Sequence, residues 1–178
     1  MAVLPHVIRT RRLVLRVPSL DDAETVFKRF ARDPEVTRYL GWKTHRSVAT
    51  TRKVIRGWTA DWSGGERSTW VLTTLRSDLP FGVIELRTDE HRAEAGFALA
   101  RDRWGRGYAT EALEAVTDLA LSLPDVYRVW AVCDVDNKAS ARVMERAGFA
   151  LEGTLRRYCR HPNLGVEPRD VYCYARVR

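Results

Sequence analysis

The sequence predicts a mixed α/β fold, a central and mostly antiparallel sheet of about seven strands with about four helices on its faces. Three observations carry that expectation. Ala109, Ala112, Leu113, Val116, Leu119, Ala120 and Leu123 recur at helical spacing opposite Glu111, Glu114 and Asp118, the pattern of an amphipathic helix lying on a sheet. Several other segments alternate apolar and polar residues, or are rich in β-branched and aromatic residues, as strands are. Between the segments stand prolines, glycines and small polar clusters, which break either periodicity.

In chain order, Arg11 to Val17 alternates Leu13, Leu15 and Val17 with polar neighbours and reads as a half-buried strand. Ser19-Leu20-Asp21-Asp22, after Pro18, places an acid three positions beyond a cap residue and opens a helix with Val26, Phe27 and Phe30 on its apolar face. Asp33-Pro34 ends that helix, because the residue before proline avoids the helical region. A second helix is expected over 47–62, broken by Gly64-Gly65. Three strands follow at 68–75, 80–87 and 92–100, with turns at Ser77-Asp78 and Asp89-Glu90-His91. Pro124 stops the amphipathic helix. A strand over 128–135, a helix over 137–147 closed by Gly148, and strands over 151–159 and 170–177 complete the chain. No repeat, low-complexity tract or flexible linker interrupts this order, so residues 1–178 read as one domain, large enough to bury a core without staples.

Composition narrows the function classes. Apolar residues make up 45% and charged residues 30%, as in ordinary soluble globular proteins. No run of about 18 apolar residues is present, and Met1 to His6 lacks the features of a secretory signal. Cys133, Cys159 and Cys173 are odd in number and form no CxxC pair, which points to reduced thiols, a cytoplasmic location and no metal site. The net charge of +7 suits either a nucleic acid or a small polyanion. The arginines are scattered rather than gathered in a tract, which disfavours nucleic acid.

Gly105 and Gly107 lie between the strand ending near Ala100 and the amphipathic helix. The first N–H groups of a helix have no internal partner and carry the positive end of its dipole. Glycines let backbone approach a phosphate closely, so strand, glycine loop and helix form an anion site. Arg101, Arg103 and Arg106 add positive charge there. Two glycines also make an ordinary tight turn, and phosphate binding alone does not choose between nucleotides. Thr110 excludes the dinucleotide GxGxxG pattern, and no Gly-Lys-Ser/Thr follows to make a Walker loop.

The runs WGRGYATEAL (Trp104 to Leu113) and DVDNKASARVMERAGF (Asp134 to Phe149) together resemble the Gcn5-related N-acetyltransferase superfamily. TRRLVLR (Thr10 to Arg16) and DPEVTRYL (Asp33 to Leu40) are similar to its ribosomal-protein-alanine N-acetyltransferase branch, so the resemblance spans nearly the whole chain. It implies the fold of that superfamily and acetyl-CoA as donor. Trp104, Gly105, Arg106, Gly107, Tyr108, Ala109 and Thr110 would then form the pyrophosphate loop. The family loop reads Gln/Arg-x-x-Gly-x-Gly/Ala; Gly107 and Ala109 fit it, while Trp104 in first position shifts the contact onto the backbone amides of Arg106 to Thr110. The resemblance also implies that the strand before the loop splays from the next one, with Phe97, Ala98 and Leu99 offering backbone groups to the pantetheine arm. Asn137, a good helix cap in its own right, and Ser140 would lie near the thiol. Many members protonate the departing thiolate with a tyrosine; 140–147 contains none, and Ser140 stands in that region.

Transfer requires a neutral amine. About one α-amine in seven is neutral at pH 7, against about one lysine in 2,500, so an α-amine needs only a modest base. Glu94, on one strand face with Gly96 and Ala98, is the first candidate base, supported by a glutamate in this strand in several family members. Glu85, in the preceding strand, is the second; both types of residue also occur simply as solvated strand positions. Tyr39, Trp42, Trp70 and Tyr158 are candidates for the acceptor pocket, although aromatic residues are more often core. His45 and His161 read as solvated loop histidines before they read as bases. The acceptor is a protein amino terminus or a small-molecule amine, the protein a monomer or homodimer without a membrane span. The alternatives are a donor such as succinyl-CoA, or a CoA-binding or RNA-associated module without catalysis.

Overall fold

The computed structural model describes residues 4–64 and 67–178. Among them one eight-stranded sheet runs through the whole chain. Its strands are β1 (Val7–Arg9), β2 (Leu13–Arg16), β3 (Arg67–Thr74), β4 (Ser77–Asp89), β5 (Arg92–Leu99), β6 (Arg128–Asp134), β7 (Ala150–Cys159) and β8 (Arg169–Val177). Their spatial order is β1-β2-β3-β4-β5-β6-β8-β7. Each neighbouring pair is antiparallel except β5 and β6, which run parallel. The helices are α1 (Ala23–Val26), α2 (Pro34–Thr37), α3 (Val48–Gly64), α4 (Tyr108–Ser122) and α5 (Lys138–Arg146).

The local signals explain most of these boundaries. Ser19 caps a 3₁₀ turn at Leu20–Asp22 that runs into α1, with both halves of the capping box formed. Asp22 is buried there and receives both Nη groups of Arg16 at 2.8 Å. Helix α1 widens into a π turn at Phe27–Ala31. The dipeptide Asp33-Pro34 then does more than end a helix. Asp33 caps α2 by accepting from the Glu35 N–H at 3.0 Å, and Pro34 occupies its first turn, where no N–H is needed.

Two short elements, β1 and α2, were not expected, because three or four residues are too few to display a period. They account for eight strands and five helices rather than about seven and four. The turn expected at Ser77-Asp78 lies instead at Leu75-Arg76, and Ser77 begins β4. Arg16 draws Asp78 into the sheet with an Nε contact of 2.6 Å to its carboxylate. Helix α3 ends at Gly64; Gly65, the second half of the expected break, lies outside the described residues.

What positions the site is the parallel pair. β5 and β6 are in register only at Arg92↔Arg128, Ala93↔Val129 and Glu94↔Trp130. Beyond Glu94, β5 continues beside β4 to Leu99, while β6 continues beside β8 to Asp134. The strands therefore part into a wedge. Helix α4 packs on β5 and β6, and α5 on β6 and β7. At the opposite side of the core, α3 sets Trp62 edge-on to Trp70 at 5.1 Å.

Candidate active site

A cavity of about 450 Å³ opens from the wedge. Phe97, Ala98 and Leu99 of β5 form one wall, and Asn137 and Ser140 at the start of α5 form another. Trp104, Gly105, Gly107, Tyr108, Ala109 and Thr110 line its loop side, and Tyr39 closes it from the segment after α2. Eleven of the residues expected at the donor site thus meet around one space; Arg106 does not border it.

The loop leaves backbone donors uncovered. Gly105 and Gly107 have φ of 70° and 75°, a region that costs other residues strain. Gly107 is the N-cap of α4 and brings no side chain to the first-turn N–H groups, so those donors stay available. Trp104 fixes the loop from its near end, its indole N–H donating to the Leu99 carbonyl at 2.8 Å. It is a staple as well as a substitute for the family's Gln or Arg, and it occupies a carbonyl expected to face the pantetheine arm.

From the far end the loop is held by a network that sequence reasoning missed. Glu111 accepts from the Thr10 hydroxyl at 2.6 Å, the Arg12 N–H at 2.8 Å and the Arg12 Nε at 2.6 Å. Arg12 in turn donates to the Arg106 carbonyl at 2.9 Å and lies over the Tyr108 ring at 4.7 Å. Burial acts to raise the Glu111 pKa, but the hydrogen bonds from Thr10 and Arg12 outweigh it and hold the carboxyl below its ordinary value. In the sequence Glu111 is one of three acids on a helix face, and nothing local singles it out.

At the other wall Asn137 accepts from the Ser140 N–H at 3.2 Å, and its own N–H donates to Asp134 at 2.8 Å. The Ser140 hydroxyl borders the cavity, and its Oγ makes no hydrogen bond among the described residues. Arg142 and Arg146, one turn apart on α5, line the cavity, as do Arg103 and Lys138.

Glu94 and Glu85 lie on adjacent strands, and neither borders the cavity directly. Arg87 sits between them, its Nη2 2.7 Å from Glu85 and its Nη1 3.9 Å from Glu94. Burial raises the Glu94 pKa, Arg87 opposes this, and the charge of Glu85 adds to it. The space over Gly96 is taken by Glu85. A Cβ at Gly96 would stand 3.3 Å from Glu85 Oε1.

The four aromatic candidates separate. Tyr39 lines the cavity. Trp42 is half-buried, 4.8 Å from the His45 ring. Tyr158 is 53% exposed, and Glu94 is near enough that its charge, after burial, raises the phenol pKa. Trp70 has no exposed surface and donates to the Pro5 carbonyl at 3.0 Å, so it packs the core and cannot line a pocket. The two histidines are not solvated either. His45 pairs with the Thr51 hydroxyl at 2.8 Å, and His161 lies 3.3 Å from Asp134; burial lowers the pKa of both.

A second missed residue is Asn163. From the loop between β7 and β8 it donates to the carbonyls of Thr37 at 2.7 Å and Trp42 at 2.8 Å, and accepts from Thr44 at 3.0 and 3.2 Å. It clasps the loop carrying Tyr39 to the far end of the sheet. All three cysteines are free, and burial pushes the Cys133 thiol up to about 12, so it holds its proton at neutral pH. No helix among the described residues is long and apolar enough to cross a membrane.

The family model described as acetyltransferase (GNAT) domain matches residues 12–150. The uncharacterized N-acetyltransferase YoaA of Bacillus subtilis (strain 168) is 32% identical over 155 residues, 85% of this chain and 87% of that one. The ribosomal-protein-serine acetyltransferase of Escherichia coli (strain K12) is 30% identical over 135 residues, 74% of this chain and 73% of that one. Among solved structures, the microcin C7 self-immunity acetyltransferase MccE, in complex with acetyl-CoA and AMP, superposes with a TM-score of 0.87 at 20% identity, covering 99% of this chain and 98% of that one.

Proposed function

The chain belongs to the acetyltransferase (GNAT) domain family, and from that premise we propose that it moves an acetyl group from acetyl-CoA to a primary amine in the cytoplasm. One observation supports the reading above all others. The parallel pairing of β5 and β6 stops at Glu94↔Trp130, and the open end of the wedge meets the uncapped N-terminus of α4. The residues fit a diphosphate-bearing thioester. Glycine backbone with φ near 70° lines the loop, and Arg103, Lys138, Arg142 and Arg146 stand around the same cavity. Acetyl-CoA, when bound, supplies an acyl group on a good leaving group.

The protein's own residues do the rest. The N–H groups of Gly107 to Thr110 hold the phosphates. Phe97, Ala98 and Asn137 align the arm of the donor along β5. Glu94, whose pKa burial raises above the ordinary carboxylate value, takes a proton from the acceptor ammonium, directly or across a water. The Ser140 hydroxyl, without another partner, donates toward the departing sulfur. Glu85, held by Arg87, sets the charge around Glu94. Tyr39, Trp42 and Tyr158 bound the acceptor. The high pKa of Cys133 supports direct transfer over a cysteine-bound acyl group.

Release of free thiol from acetyl-CoA tests the reading, with peptide amino termini, polyamines and aminoglycosides as acceptors. Thiol release that depends on one acceptor class is expected. If no CoA ester shifts the melting temperature at millimolar concentration, the reading fails.

A further inference from the structure

Two loops meet beside Tyr39. One, residues 38–47 after α2, carries Arg38, Lys43 and Arg46 and no carboxylate. The other, with the end of β7 before it and the start of β8 after it, carries Arg156, Arg157, Arg160 and Arg169 against two acids, Glu167 and Asp170, whose carboxylate accepts from the Arg157 N–H at 2.8 Å. Asn163 stitches the two together through Thr37, Trp42 and Thr44, and the Tyr39 ring stands edge-on to His161 at 6.1 Å. Arg157 is spoken for by Glu167 at 3.6 Å, and Arg169 by Asp134 at 2.5 Å and Asp136 at 2.6 Å. Arg38, Lys43, Arg46, Arg156 and Arg160 are exposed and form no ion pair among the described residues.

The donor's phosphates account for the cations on α5 and around the glycine loop. Arg38 lines the cavity itself, but the phosphates do not account for Lys43, Arg46, Arg156 and Arg160, which stand on the two loops that Asn163 joins and on the end of β7. Glu35 is an acid on the cavity wall without an ion pair among the described residues, and it does not balance them. We infer that the acceptor bears negative charge close to its amino group, as an acidic peptide amino terminus or a phosphate-bearing amine does. This inference rests on the acetyl-transfer reading. A positive rim steers anions inward and repels polycations, and it lowers the pKa of a bound ammonium, which favours the neutral nucleophile.

The test uses the full chain with saturating acetyl-CoA and reads thiol release. The acceptors are peptides beginning Ser-Ala followed by three Glu, three Gln or three Lys, with phosphoethanolamine and spermidine alongside. At low ionic strength kcat/KM for the Glu peptide or phosphoethanolamine should exceed that for the Gln peptide by about tenfold, and the gap should close above about 0.3 M salt. The peptide and phosphoethanolamine arms tell a carboxylate source of charge from a phosphate one. R156E/R160E should remove the preference; a CoA-induced thermal shift shows that this variant is folded. Equal rates for all charges, or a preference for the Lys peptide or spermidine, overturn the inference and leave acetyl transfer standing. No release with any amine overturns both.

Discussion

Arg12 and Glu111 are separated by 99 residues, yet the Arg12 Nε–H donates to Glu111 Oε2 at 2.6 Å and the same guanidinium reaches the Arg106 carbonyl. The short connection between β1 and β2 therefore braces the glycine loop from outside. The brace fixes the direction in which the first N–H groups of α4 point, and a preorganised donor set loses less entropy on binding.

Removing the brace should weaken donor binding before it weakens the fold. E111Q and R12A are each expected to raise the KM for acetyl-CoA about fivefold to tenfold. That corresponds to about 1–1.4 kcal/mol, just below the range of about 1.5–3 kcal/mol for a charged hydrogen bond because Arg12 is 36% exposed and screened by solvent. The double variant should cost little more than either alone, since the two share one interaction. Additive effects would show that they act separately.

The same carboxylate sets a pH dependence. Glu111 is held below its ordinary pKa, so its contribution is complete above about 4.3 and fades as pH falls through the depressed value. Thermal melts of the wild type and E111Q should differ at pH 6 and converge toward pH 3. Parallel curves over that range would contradict the assignment.

Gly107 has φ of 75°, and a Cβ there would stand 3.3 Å from Arg12 Nη2. G107A should cost about 1–2 kcal/mol of stability and also weaken CoA binding, read as a smaller CoA-induced thermal shift. G148A is the control: its φ is 81°, and the nearest contact of a Cβ there would be 3.9 Å, to Arg176. It should lower the melting temperature similarly and leave the CoA shift intact.

Glu94 is raised by burial, so the acid limb of kcat/KM should fall above the ordinary glutamate range. E94Q is expected to lower kcat/KM about a hundredfold and abolish that limb. Unchanged kcat/KM from pH 6 to 9 would remove Glu94 from the proton path.

Asn163 and Trp70 separate acceptor shaping from core packing. N163A leaves two carbonyls and Thr44 without their partner, and should raise the acceptor KM more than the acetyl-CoA KM. W70A opens a core void and should cost about 3–5 kcal/mol with no change in acceptor preference. A change of preference in W70A and none in N163A would reverse these assignments.

Much of this protein is legible in one dimension, wherever the physics is local. The period of Ala109 to Leu123, the cap at Ser19 and the turn at Gly105-Gly107 depend on neighbours within a few residues. The helices and strands they announce are present within a residue or two. The segment from Asn137 into α5 was legible for the same reason, since an Asn cap bonds the N–H three positions on. β1 and α2 were not, because they are shorter than one clear period.

The sequence by itself determined the donor side: a glycine loop ahead of an amphipathic helix, with a family pattern of residues on both sides of the wedge. Only the tertiary structure decided what braces that loop, what fills the space over Gly96, that Trp70 is core, and that two cationic loops are clasped by Asn163. Each of these rests on contacts across about 100 residues of chain or on which strand lies beside which. Local periodicity holds no record of such pairings. They follow from the register of the sheet, which exists only once the whole chain has folded.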